Sequence, residues 1–180
     1  IVIWLLIAEF TMKAHVWYLI ARIDLVGGST GYFRAELINS ALMHLNEWWL
    51  YGTNYTRHWM PTGVTWSPNH TDITNWYLSN GVSGGLPQML TFIAIIVFSF
   101  KIIGKTLKAI ELTGDVYKVR MTWAFGARMF SHTISFLTNS YFDQIQIFWY
   151  LLLAMIASCA NITDNIMAND SNGSQYSQYS

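Results

Sequence analysis

Charge is scarce in this 180-residue chain: 11% of its residues are Asp, Glu, Lys or Arg, against roughly 25% in an average soluble domain. Much of its surface must therefore face something other than water. Ten basic residues balance ten acidic ones, which leaves no positive excess to neutralise a phosphate backbone, so nucleic acid is excluded as a partner. The single cysteine, Cys159, lies in an apolar run. Neither an intramolecular disulfide framework nor a cysteine-based metal cluster is available to it. Apolar and aromatic residues take the place of charge: 53% of the chain is hydrophobic, with 9 Trp, 10 Tyr, 10 Phe and a mean hydropathy of +0.29. Such a composition rules out disorder over most of the length and points to a membrane protein.

The opening run IVIWLLIAEF (1–10) is apolar from Ile1, with no initiator Met and no basic flank. It reads as the end of a truncated membrane helix rather than a signal peptide. Leu86 to Gly104 is 19 residues with one charge, Lys101, close to the length that crosses a bilayer core of about 30 Å. Gln144 to Thr163 is a second span, 20 residues without charge. Met121 to Phe142 has spanning length but carries Arg128 and His132, four residues apart on one helical face, a polar pair that must point into protein or a wet cavity. Residues 86–163 thus read as three membrane helices. In the connection 105–120, Lys105, Lys108, Lys118 and Arg120, with Lys101 just before, outnumber Glu111 and Asp115, which places it in the cytoplasm by the positive-inside rule. Residues 164–180 read as a disordered cytoplasmic tail. Residues 11–85 then form a long outer loop, where function is to be sought.

That loop is dense in Trp and Tyr, the residues of the headgroup layer. Glu36 to Leu50 places Ile38, Leu42, Leu45 and Trp49 on one face, the pattern of an interfacial amphipathic helix that Gly52 ends. A second helix is expected over Ser67 to Asn80, with Ser67 as N-cap and Pro68 first. His70 then lies in its first turn, where the positive helix pole disfavours a charged imidazole and free N–H groups welcome an anion. The Gly-rich stretch Val26 to Arg34 offers exposed N–H groups, the hydroxyls of Ser29 and Thr30, and the planar fork of Arg34. It contains no Walker pattern, and a tight turn with Arg34 reaching to lipid headgroups accounts for it equally. Arg57 is a second outer cation. His44, His58, His70 and Asp72 have no metal-binding spacing, so no metal is expected.

The segment His70-Thr71, nine residues, then Gly81-Val-Ser-Gly84, preceded by GSTGYFR and an amphipathic stretch ending in a Gly turn, resembles the outer loop of the O-antigen ligase and polymerase superfamily. Thr71 stands where that pattern has Asn, Ser or Gln. The resemblance implies an all-α, polytopic integral membrane protein of glycosyltransferase C-like fold, in the bacterial inner membrane, with its catalytic loop in the periplasm. It implies transfer of a glycan from a polyprenyl diphosphate carrier to the hydroxyl of an acceptor glycan or lipid, with no cofactor. His70 would orient or deprotonate the acceptor and Arg34 would neutralise the leaving diphosphate; Arg57, Ser29, Thr30, Asn69 and Thr71 would bind substrate. Membrane lipids are the other expected partner. The competing classes are a transporter, or a non-catalytic subunit of a polysaccharide export complex, with Arg128 and His132 lining a path. The topology is tested by single-cysteine labelling in a Cys159-free background. Position 105 should resist an impermeant external reagent in intact cells and position 53 should react with it; labelling of position 105 refutes the assignment.

Overall fold

A computed structural model describes residues 30–60, 68–139 and 144–176, with side chains for 31–60, 68–139 and 144–161. The described residues are helical and contain no strand: α1 is Thr30–Met43, α2 Leu45–Trp48, α3 Trp76–Glu111, α4 Val116–Ser135 and α5 Gln144–Tyr176. They fall into two units, one holding the described residues up to Met89 with Thr138 and Asn139, the other Leu90–Leu137 and α5. The opening segment 1–10 and Ser29 lie outside the described residues.

The first unit is organised by a close approach of two backbones. α1 buries Ala35, Leu37 and Ala41 and ends at His44, whose Nδ1 lies 2.7 Å from the Ser40 carbonyl that would otherwise serve the helix alone. After the single turn α2, Gly52 takes φ 79° and reverses the chain, as the pattern predicts. The chain 48–53 then lies against α3, where the helix breaks at Gly84 (φ −143°) and Gly85 (φ 76°, ψ −178°). The Thr53 N–H donates to the Val82 carbonyl (2.8 Å) and the Leu86 N–H to the Trp49 carbonyl (2.7 Å). Gly81 admits the Trp48 ring: a Cβ there would stand 2.7 Å from the indole. That indole is buried and donates to the Ala41 carbonyl at 2.8 Å, closing the end of α1. Leu37, Ala41, Trp48, Trp59, Met60 and Val82 form the resulting core.

In the second unit Phe92 of α3, Phe136 at the end of α4 and Trp149 of α5 meet edge to face, with centroids 5.1 Å apart for Phe92–Phe136 and 4.9 Å for Phe136–Trp149. The Thr106 hydroxyl donates to the Cys159 carbonyl at 3.3 Å. α3 and the stretch Gln144–Asn161 are long and apolar enough to cross a membrane, with mean hydropathies of 2.0 and 1.3. Only 22% of each apolar window is buried, so Leu90, Phe98, Phe148 and Leu151 face outward. A core helix of a soluble protein would bury most of such a stretch. α4, the third expected span, is not among the helices that meet this test. His132 on it is buried against Phe136 and Trp149, while Arg128 one turn earlier is exposed. The basic connection 105–120 is mostly helix: only Leu112 to Asp115 separate α3 from α4, with Lys108 before this turn and Lys118 after it.

Three expectations are corrected. The helix expected over 67–80 begins at Trp76, because Asn75 is the cap: its Oδ1 accepts the Leu78 N–H at 3.0 Å. The amphipathic stretch 36–50 is not one helix. It buries the face of small residues and Leu37, and leaves Leu42, Leu45 and Trp49 exposed. Where a disordered tail is expected, α5 continues to Tyr176, in a stretch without proline.

Gly85 occupies a backbone region open only to glycine, and a Cβ there would lie 2.3 Å from the Leu50 carbonyl oxygen. Gly85→Ala should therefore destabilise the protein by about 1–3 kcal/mol, read as a lowered thermal midpoint in detergent. Gly104→Ala, where a Cβ meets nothing within 4 Å, should be neutral or mildly stabilising.

Candidate functional site

The segment 68–75 between the capped helix and the preceding loop is non-helical, and its backbone groups are spent on the loop 53–60. The Asn69 carbonyl accepts the N–H groups of both Thr56 (2.9 Å) and Arg57 (3.1 Å). Two residues on, the Thr71 N–H donates to the Thr56 hydroxyl at 3.0 Å. Thr56 is fully buried at this junction. The effect is to run Thr56–Arg57 alongside Asn69–Thr71, so that Arg57 and His70 are carried on adjoining backbones.

His70 is exposed. It lies outside any helix, so neither a positive helix pole nor a ring of free helical N–H groups acts on it; the Thr71 N–H is already used. The physical reason is that Asn75 supplies a side-chain acceptor at the true helix start, while the Thr71 N–H upstream turns to the Thr56 hydroxyl. Arg34 is likewise not on a glycine turn. It lies in the second turn of α1 and is half-buried. Thr30 is the first residue of that helix, and Ser29 precedes the described residues. Of the expected substrate-binding residues, Arg57, Asn69 and Thr71 are brought together with His70.

Three polar atoms on these segments are buried with no hydrogen-bond partner among the described residues: Arg57 Nη1, Thr71 Oγ1 and Thr74 Oγ1. Buried donors and acceptors are normally satisfied, and a missing partner costs about 1–3 kcal/mol. Unpaired groups of this kind are available to a ligand's oxygens.

Beside this site lies a cluster that the sequence pattern did not disclose. His58 Nε2 is 3.0 Å from each carboxylate oxygen of Glu47, and the Trp59 indole N–H donates to the same carboxylate at 3.1 Å. His44 stacks on Trp59 with centroids 5.5 Å apart and meets His58 edge-on at 5.0 Å. Partial burial pushes the Glu47 carboxyl up, but the hydrogen bonds from His58 and Trp59, with the nearby His58 and His44 rings, hold it below its ordinary value. The structure thus joins His44 and His58 through Glu47; His70 and Asp72 are not part of the group. The available signal was the spacing of His44 and Glu47, three residues apart on one turn.

Compared with known proteins, the chain matches no family model, no curated protein and no solved structure.

Burial raises the Asp72 carboxyl above its ordinary value. The unfolded chain therefore loses this proton first: the resulting penalty is absent below the unfolded value, grows as pH rises, and is complete above the raised folded value. Asp72→Asn should raise the thermal midpoint at neutral pH and leave it unchanged below about pH 3. An unchanged midpoint at both would refute this reading of Asp72.

Proposed function

We propose that the chain is part of a membrane glycosyltransferase that moves or polymerises a glycan from a polyprenyl diphosphate carrier onto an acceptor hydroxyl, in the manner of the O-antigen ligases and polymerases it resembles. The observation that carries this reading is the junction at Asn69, which sets an unpaired, buried guanidinium nitrogen of Arg57 on the backbone adjoining that of an exposed imidazole. Displacement at an anomeric carbon calls for these two groups: a base at the attacking hydroxyl and a cation at the departing diphosphate.

His70 is the base. Its exposure leaves it open to a sugar hydroxyl. Arg57 takes the leaving diphosphate: a phosphate oxygen would satisfy the unpaired Nη1, and the planar fork can hold two oxygens at once. The buried hydroxyls of Thr71 and Thr74 are further partners for the donor or acceptor. Arg34, placed within α1, is the secondary cation. A fold of the glycosyltransferase C kind in a bacterial inner membrane, with this loop in the periplasm, accords with two apolar helices of spanning length.

His70→Ala in the full-length protein should lower transfer from a polyprenyl-linked donor by about 10²- to 10⁴-fold without loss of membrane abundance. Arg57→Ala should lower it comparably and Arg57→Lys partially, since lysine keeps the charge but loses the fork; Arg34→Ala should cost less than Arg57→Ala. Normal transfer by both His70→Ala and Arg57→Ala in a purified, lipid-reconstituted assay would move the transporter or accessory reading ahead.

A further inference from the structure

We propose that His44, Glu47 and His58 form a binding site for a divalent transition-metal ion of the zinc class, a site that stands apart from the transfer reading and does not depend on it. One donor atom from each of the three lies within 4.8 Å of the others. Two imidazole nitrogens and one carboxylate are a donor set that zinc accepts with water in its fourth position, whereas magnesium and calcium prefer oxygen alone.

The spacing is near what such an ion needs. Ligands at about 2.0–2.1 Å in a tetrahedron lie roughly 3.3 Å from one another. His58 and Glu47, at 3.0 Å, are already within a few tenths of an ångström of that, the proton that His58 Nε2 now shares with the carboxylate passing to Nδ1 as the ion takes its place, and the His44 donor has at most about 1.5 Å to move. The ring of His44 is set to present a lone pair. Its Nδ1 lies 2.7 Å from the Ser40 carbonyl, which can only accept, so Nδ1 carries the proton and Nε2 is left free to ligate. A backbone carbonyl holding the second nitrogen of a ligating histidine is the usual outer support of such sites.

Glu47 has comparable support from the Trp59 N–H. The indole that makes this bond also stacks on His44 at an interplanar angle of 17°, and Tyr55 stacks on His58 at 13° with centroids 5.1 Å apart. Every ligand is thereby held by a neighbour that is not itself a ligand. The side chains of His58 and Glu47 are 39% and 32% exposed, so an ion can enter without opening the core. At that exposure a bare His–Glu ion pair contributes only about 0–1 kcal/mol, which does not account for so many converging supports. A bound ion would fasten the segment 55–59 to the turn between α1 and α2, and with it the backbone of Arg57.

The test uses the full chain in lipid nanodiscs, stripped with EDTA and titrated with Co²⁺, then with Zn²⁺ against a chromophoric chelator. One equivalent should bind, with the visible absorption of four-coordinate cobalt and a raised thermal midpoint. His44→Ala, Glu47→Gln and His58→Ala should each weaken binding by more than about 100-fold, and Trp59→Phe, which removes the N–H to Glu47 and shrinks the ring stacked on His44, by about 10-fold. Glu47→Gln keeps the shape of the cluster, so circular dichroism of that variant separates lost ligation from lost fold. His70→Ala should bind as the wild type does. No saturable binding by the wild type, or undiminished binding by the three ligand variants, overturns the site. Loss of transfer in His70→Ala with zinc binding intact, or the reverse, separates the fate of this proposal from that of the proposed reaction.

Discussion

Two glycine-lined stretches of backbone must come closer than side chains would allow, and the first unit of the protein depends on that approach. At Gly52 and Gly85 the carbonyls of the opposing chain occupy the space of a Cβ, 2.5 Å away at Val82 and 2.3 Å at Leu50. The distance is short enough for the ladder of Thr53 to Val82 and Leu86 to Trp49, which supplies partners to groups that a broken helix would leave bare. Trp48 then seats against Gly81 and links the assembly back to α1 through Ala41. Remove the approach and the core of Leu37, Trp48, Trp59 and Val82 loses its floor. The Gly-Gly break in α3 is thus a docking surface for the preceding turn, and Pro87, which cannot donate a hydrogen bond, stands where the helix restarts and needs none.

The two long apolar helices were readable because length and hydropathy alone mark them, and the turn at Gly52 because a chain reversal after a helix favours glycine in a left-handed conformation. The first-turn placement of His70 was not readable. Ser67-Pro68 carries the local grammar of a helix start, but Asn75-Trp76 carries it too, and the choice fell to a tertiary contact: the hydroxyl of Thr56, distant in sequence, takes the Thr71 N–H. The same holds for α1. The sequence pattern sets Ile38, Leu42, Leu45 and Trp49 on one face of a single interfacial helix, whereas the chain breaks after Met43 and α1 buries Ala35, Leu37, Ser40 and Ala41 instead, with Ala41 beside Trp48. The pairing of Glu47 with His58 joins residues 11 apart across a turn, and no periodicity of helix or strand relates such positions. Local propensity is a weak prior when a single long-range bond can reset where an element starts.

The two candidate sites differ in how they are held. The Arg57–His70 arrangement is set by main-chain bonds and leaves side-chain atoms unpaired, which suits a site that waits for a ligand. The His44–Glu47–His58 cluster has its side chains braced by rings and a carbonyl, which suits a site that keeps one geometry.

The double acceptance at the Asn69 carbonyl has an evolutionary corollary. Because the two bonds run to a main-chain carbonyl and not to the amide side chain, residue 69 can vary among descendants and still offer the acceptor that holds Thr56 and Arg57, whereas the acceptor for the Thr71 N–H is the side-chain hydroxyl of Thr56, which only serine could replace.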